Sequence, residues 1–156
     1  MAQVSSQIQD VGFWGQSWLV GVPLIALTVV VHVLGLGLIR AAFARAFKDR
    51  ERYHRFPLYH FAMVMWLTVT LVTGLHVVEA TIWAAAFLLI GAMPNPHAAM
   101  LYSISAMTAY GHAQVYLEDH WQMLGALESL TGLILFGLTT AFLYGMIQRA
   151  WPGRDK

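Results

Sequence analysis

A short, partly polar segment lies between two apolar runs that are each long enough to cross a bilayer, and nothing else in the sequence constrains the fold as tightly. The runs are 58–93 and 122–147, and the segment between them begins at Asn95 and ends near Trp121. Non-helical backbone at membrane depth survives only where protein buries it or where it lines a watery path. The chain is 58% hydrophobic and only 11% charged, against about a quarter charged in soluble domains. It therefore reads as a membrane protein with no separate soluble domain.

A third apolar run, Trp18–Ile39, is interrupted only by His32. About 20 helical residues cross a hydrocarbon core of about 30 Å, so each run predicts one span. Pro23 falls near the start of its run, where a proline costs least. The second run exceeds one span, which predicts a tilt, a bend near Gly74 or a projection beyond the membrane.

Charge gives the direction. Residues 1–17 and 94–121 contain no Lys or Arg, whereas 40–55 carry Arg40, Arg45, Lys48, Arg50, Arg52 and Arg55, and the tail carries Arg149, Arg154 and Lys156. The positive-inside rule places the N-terminus outside, 40–55 in the cytoplasm, 94–121 outside and the C-terminus inside. The basic cluster reads as a topology signal in contact with anionic lipid. A net charge of +1 gives no reason to propose nucleic acid. The absence of cysteine excludes disulfides and thiolate metal sites.

Asn95-Pro96 predicts a helix start, with asparagine as cap and proline at the first helical position. From there to Met107 the chain is apolar but short. About 12 residues rise roughly 18 Å, so a helix entering from outside reaches about mid-membrane and must turn back. Its C-terminal dipole end then faces the membrane centre, where several copies around an axis would favour a cation.

These residues resemble the potassium-channel pore-loop superfamily, in particular small bacterial channels with few spans. Tyr102-Ser103 is similar to the aromatic-Ser pair of the pore helix. Thr108 to Gln114 aligns without gaps on the filter Thr-Thr-Val/Leu-Gly-Tyr-Gly-Asp. Trp121 falls where a tryptophan opens the inner helix. Gly132 matches the hinge glycine, and Phe136-Gly137-Leu138-Thr139-Thr140 resembles the segment below it. The resemblance covers about residues 58–148; the first span has no counterpart in the minimal two-span channels.

The resemblance implies an all-α membrane protein with three transmembrane helices plus a re-entrant pore helix and filter loop, assembled as a homotetramer. Its parts would be an extracytoplasmic segment (1–17), a first span (18–40), a basic linker (41–57), a pore domain (58–148) and a cytoplasmic tail (149–156). Within the pore domain the outer helix would be 58–93, the pore helix 96–107, the filter 108–113 and the inner helix 121–148. Thr108, Ala109, Tyr110, Gly111, His112 and Ala113 would line the constriction, and Gly132, Leu133, Phe136 and Thr140 would line and gate the cavity. The implied activity is monovalent cation conduction, of potassium or sodium, in a bacterial inner membrane. It needs no enzyme chemistry and no cofactor, and gating would come from the membrane, ions, pH or a separate regulatory protein.

The filter departs from the family pattern. Thr108 and Gly111 match; Ala109, Tyr110, His112, Ala113 and Gln114 do not. Ala113 replaces a glycine that takes positive φ, which sets the upper carbonyl rings apart from those of a potassium filter. His112 could titrate near neutral pH, bind a transition metal or pack behind the filter.

Glu79 and Glu128 are the carboxylates inside the spans, and His76 lies one turn from Glu79 on the same face. They read as a hydrogen-bonded cluster behind the filter, or as modulators of ion attraction, gating or proton movement. His32 and His60 read as hydrogen-bonded packing histidines. Two further readings remain: a non-conducting pore-shaped scaffold or regulatory subunit, and a haem- or metal-binding redox subunit motivated by the seven histidines.

Overall fold

A computed structural model describes residues 2–46, 57–111 and 116–150. The described residues are all helical apart from short connections. Helix α1 is Ala2–Ala46, α2 is Pro57–Leu89, α3 is Pro96–Met107 and α4 is Gln122–Ala150, the last entered through a 3-10 turn at Asp119–Trp121. Three stretches, Trp14–Arg45, Leu58–Leu89 and Asp119–Arg149, are long and apolar enough to cross a membrane. The chain is thus a multi-pass membrane protein.

Helix α1 is 45 residues long. It takes in residues 2–17 and the first residues of the expected linker, so Pro23 lies in the helix interior and not at its start. Helix α2 runs unbroken through Gly74 to Leu89. It stops four residues short of Met93 because Gly91 takes φ +75. The Ala92 amide then bonds the Phe87 carbonyl and the Gly91 amide the Leu88 carbonyl, a Schellman end. Most of the basic linker and tail, together with His112, Ala113 and Gln114, lie outside the described residues.

Side-chain layers fix the directions of the long helices. Val20, Leu24 and Ile25 of α1 meet Trp83 and Phe87 of α2 and Leu124 of α4. At the other end, Phe43 meets Val64 and Met146. Helices α1 and α4 are therefore parallel, with α2 antiparallel to both. Close approach needs small residues: a Cβ on Gly35 would lie 2.7 Å from the Leu75 methyls, and one on Gly21 2.6 Å from Leu127.

Helix α3 forms because its start is capped from both sides. Asn95 is extended, accepts a hydrogen bond from the Ala98 amide at 2.8 Å, and is followed by proline at the first position. The helix runs back along α2, with Ser103 on the Ala80 carbonyl at 2.8 Å, and its last residue, Met107, joins Ala80 and Leu135 in one cluster. A Cβ on Gly132 would lie 2.1 Å from the Met107 carbonyl oxygen and 2.7 Å from its Cα. Beyond α3 the chain turns and returns, because buried Leu117 rejoins the layer of Trp83, Ala92 and Leu124.

The end of α3 is a second Schellman motif. The Tyr110 amide bonds the Ser105 carbonyl and the Ala109 amide the Ala106 carbonyl, both at 3.0 Å. Ala109 occupies the left-handed position, φ +53, where an L side chain costs about 1–2 kcal/mol. Ala109→Gly removes that cost but adds unfolded-state freedom worth about 0.4–1 kcal/mol. The expected net gain is about 0.5–1 kcal/mol, read as a higher unfolding midpoint in detergent.

Candidate functional site

Two polar clusters lie inside the apolar bundle. The first draws on three helices. His32 of α1 is fully buried and places Nδ1 2.8 Å from Glu79 Oε1. His76, one turn before Glu79 on α2, places Nδ1 3.0 Å from Oε2. The Nε2 atoms of both rings converge on one hydroxyl, Thr139 Oγ1 of α4, at 3.1 Å from His76 and 3.3 Å from His32. The result is a closed ring: Glu79, His32, Thr139, His76 and back to Glu79.

Each of its four contacts needs one hydrogen. Thr139 supplies one and two neutral imidazoles supply two. The circuit is complete only with one proton more than a carboxylate and two neutral histidines carry, which leaves it with no net charge. That composition suits an apolar interior, where an unpaired charge is costly. The fully buried Glu79 carboxyl has both oxygens engaged. The Phe136 ring stacks on His76, with centroids 4.5 Å apart and planes at 26°, and the His76 side chain is 14% exposed.

The second cluster ties α3 to its neighbours. The Ser103 hydroxyl contacts both the Ala80 carbonyl and Glu128 Oε1. One hydroxyl hydrogen cannot serve two acceptors. Both contacts are satisfied when Glu128 carries its proton and donates to Ser103, which donates to Ala80. Glu128 is fully buried, and its Oε2 has no hydrogen-bond partner among the described residues. Beside it, Gly125 makes room for Tyr102, since a Cβ there would lie 1.9 Å from the phenol oxygen.

An open cleft of about 320 Å³ lies between the end of α3 and the first half of α4, lined by Tyr102, Ser105, Ala109, Gly111, Tyr116 and Ser129. Of the expected filter residues, Thr108, Ala109, Tyr110 and Gly111 sit together at the exposed turn after α3. The Thr108 hydroxyl is turned back onto the Ile104 carbonyl at 2.9 Å, and Tyr110 is 85% exposed. Leu133, Phe136 and Thr140 share one exposed face of α4. Gly132 is buried on another side, against the α3 backbone.

Glu79 and His76 thus meet as their one-turn spacing predicts, but Glu128 belongs to a different cluster. His32, which reads as a hydrogen-bonded packing residue, is a full member of the ring, and the sequence gives no reason to add Thr139 to it. The signal available for His32 was that it and Glu79 each interrupt an otherwise apolar span; such residues pair with one another inside membranes. No family model, curated protein or solved structure matches this chain.

Proposed function

We propose that this chain is the subunit of a tetrameric pore-loop cation channel of the potassium-channel type. In this reading α2 is the outer helix, α3 the pore helix, 108–113 the filter and α4 the inner helix. The observation that carries it is the course of α3. This capped 12-residue helix runs back between two long apolar helices to the level of Gly132, and the chain then returns.

Gly132 lies ten residues beyond the start of α4 at Gln122 (132 − 122), a rise of about 15 Å, or half of a hydrocarbon core of about 30 Å. A turn at that depth carries carbonyl groups that need burial by sister subunits or water. The exposed apolar residues Leu101 and Ile104 on α3 and Leu130 and Leu133 on α4 give the surface that sister subunits or lipid would cover. The C-terminal dipole end of α3 favours a cation there, and charge asymmetry orients the chain with its N-terminus outside a bacterial inner membrane.

Reconstituted protein is expected to carry monovalent cations across liposomes with little preference between potassium and sodium. The double replacement His112→Tyr with Ala113→Gly, which restores the family residues, should raise the potassium preference. Absence of flux in both proteins would leave a scaffold and refute the channel.

A further inference from the structure

The ring of His32, His76, Glu79 and Thr139 is independent of the pore reading, and its geometry suits more than hydrogen bonding. Both Nδ1 atoms face the Glu79 carboxylate, and one ligand atom from each of the three residues lies within 4.8 Å of those of the other two. We propose that His32, His76 and Glu79 form a buried binding site for a divalent transition ion of the zinc class, with Thr139 as its outer-shell partner.

The donor set selects the ion. Two imidazole nitrogens and one carboxylate oxygen suit zinc and its neighbours, whereas calcium and magnesium take oxygen ligands. Zinc holds nitrogen and oxygen at about 2.0–2.2 Å, so small rotations of the three side chains draw their donor atoms around one ion. Three protein ligands leave the fourth position of a tetrahedral ion to water.

The orienting shell is already built. A metal-bound histidine directs its other ring nitrogen to a hydrogen-bond acceptor, which fixes tautomer and ring orientation. Here both Nε2 atoms reach the same Thr139 oxygen. With the ion on both Nδ1 atoms, both Nε2–H groups donate to the two lone pairs of that hydroxyl. Glu79 and His76 are held one turn apart on α2, and His32 is brought in by α1, which approaches α2 closely at Gly35 and Leu75. The site would therefore tie α1 to α2 directly and to α4 through Thr139.

The test uses the full chain, purified without a histidine tag, stripped with chelator and titrated with Co²⁺ as spectroscopic probe and Zn²⁺ as competitor. The expected result is one Co²⁺ per chain, with the visible bands of a four-coordinate ion that Zn²⁺ abolishes. Glu79→Gln keeps the hydrogen-bonded ring but offers an amide in place of the carboxylate. It should weaken binding by more than about tenfold, the loss typical of an outer-shell change alone. Thr139→Val should weaken it by about tenfold. Wild-type protein that binds no Co²⁺, or binds it no more tightly than Glu79→Gln, would overturn the proposal. The readout is metal binding, so its failure is separate from any failure of ion flux.

Discussion

Glu79→Ala is expected to lower the stability of the folded chain by about 3–5 kcal/mol, the cost of breaking a buried ionic pair by removing one partner. The loss is large because two histidines depend on the same carboxylate, one on each oxygen. Without it, the buried His32 nitrogen and the partly buried His76 nitrogen lose their partner at once, and a stranded buried polar group costs about 1–3 kcal/mol. The extra proton also loses the charge that balances it. Glu79→Gln should behave differently, costing about 1 kcal/mol or less, the scale of one net hydrogen bond. The amide accepts from one histidine and donates to the other, whose hydrogen moves to Nε2 and points at Thr139, while Thr139 donates to the first. All four contacts are then filled with no ionised group. Thermal unfolding of the two variants in one detergent checks this. Equal losses would mean that the ring is not hydrogen-bonded as described.

The second large effect is steric. Gly132→Ala places a methyl 2.1 Å from the Met107 carbonyl oxygen and under 3 Å from two more backbone atoms. A flexible side chain could swing aside, but the end of α3 cannot. The Ser105 and Ala106 carbonyls just before it are held by the Schellman bonds, and Met107 is buried against Ala80 and Leu135. Overpacking in a filled core costs about 1–3 kcal/mol, and the backbone contact puts this replacement at the upper end. The expected outcome is a lower unfolding midpoint together with protease cleavage within 108–118, as α3 is pushed away from α4. Gly137→Ala is the matched control, because nothing lies within 4 Å of a Cβ there. It should leave the midpoint unchanged or raise it slightly, since alanine is the better helix former. Gly132 thus has a packing role whatever bending it permits.

These residues also mark what was legible in the sequence. The three long helices were, because apolar runs of bilayer length have few alternatives. The start of α3 was as well, since Asn95 and Pro96 each suit one cap position. Helix ends were harder. Gly91 stops α2, yet the apolar run continues through Ala92 and Met93 and hides the stop. Ala109 hides the end of α3, because the left-handed cap position usually carries glycine. The polar residues before Trp14 gave no sign that α1 begins at Ala2. The ring was half visible: His76 and Glu79 share a helix face, but His32 and Thr139 arrive from other helices, and no local spacing links them to Glu79. The packing role of Gly132 was invisible because it depends on where a separate helix ends.

In the proposed channel the turn after α3 lies in the path of permeating ions. The chain has no cysteine, so a single Tyr110→Cys replacement at this exposed position gives a unique thiol. The decisive measurement is cation flux through proteoliposomes of that variant while a charged, membrane-impermeant thiol reagent is applied to the side bearing the N-terminus. The reagent is expected to label the thiol and stop most of the flux. Complete labelling with undiminished flux would contradict it.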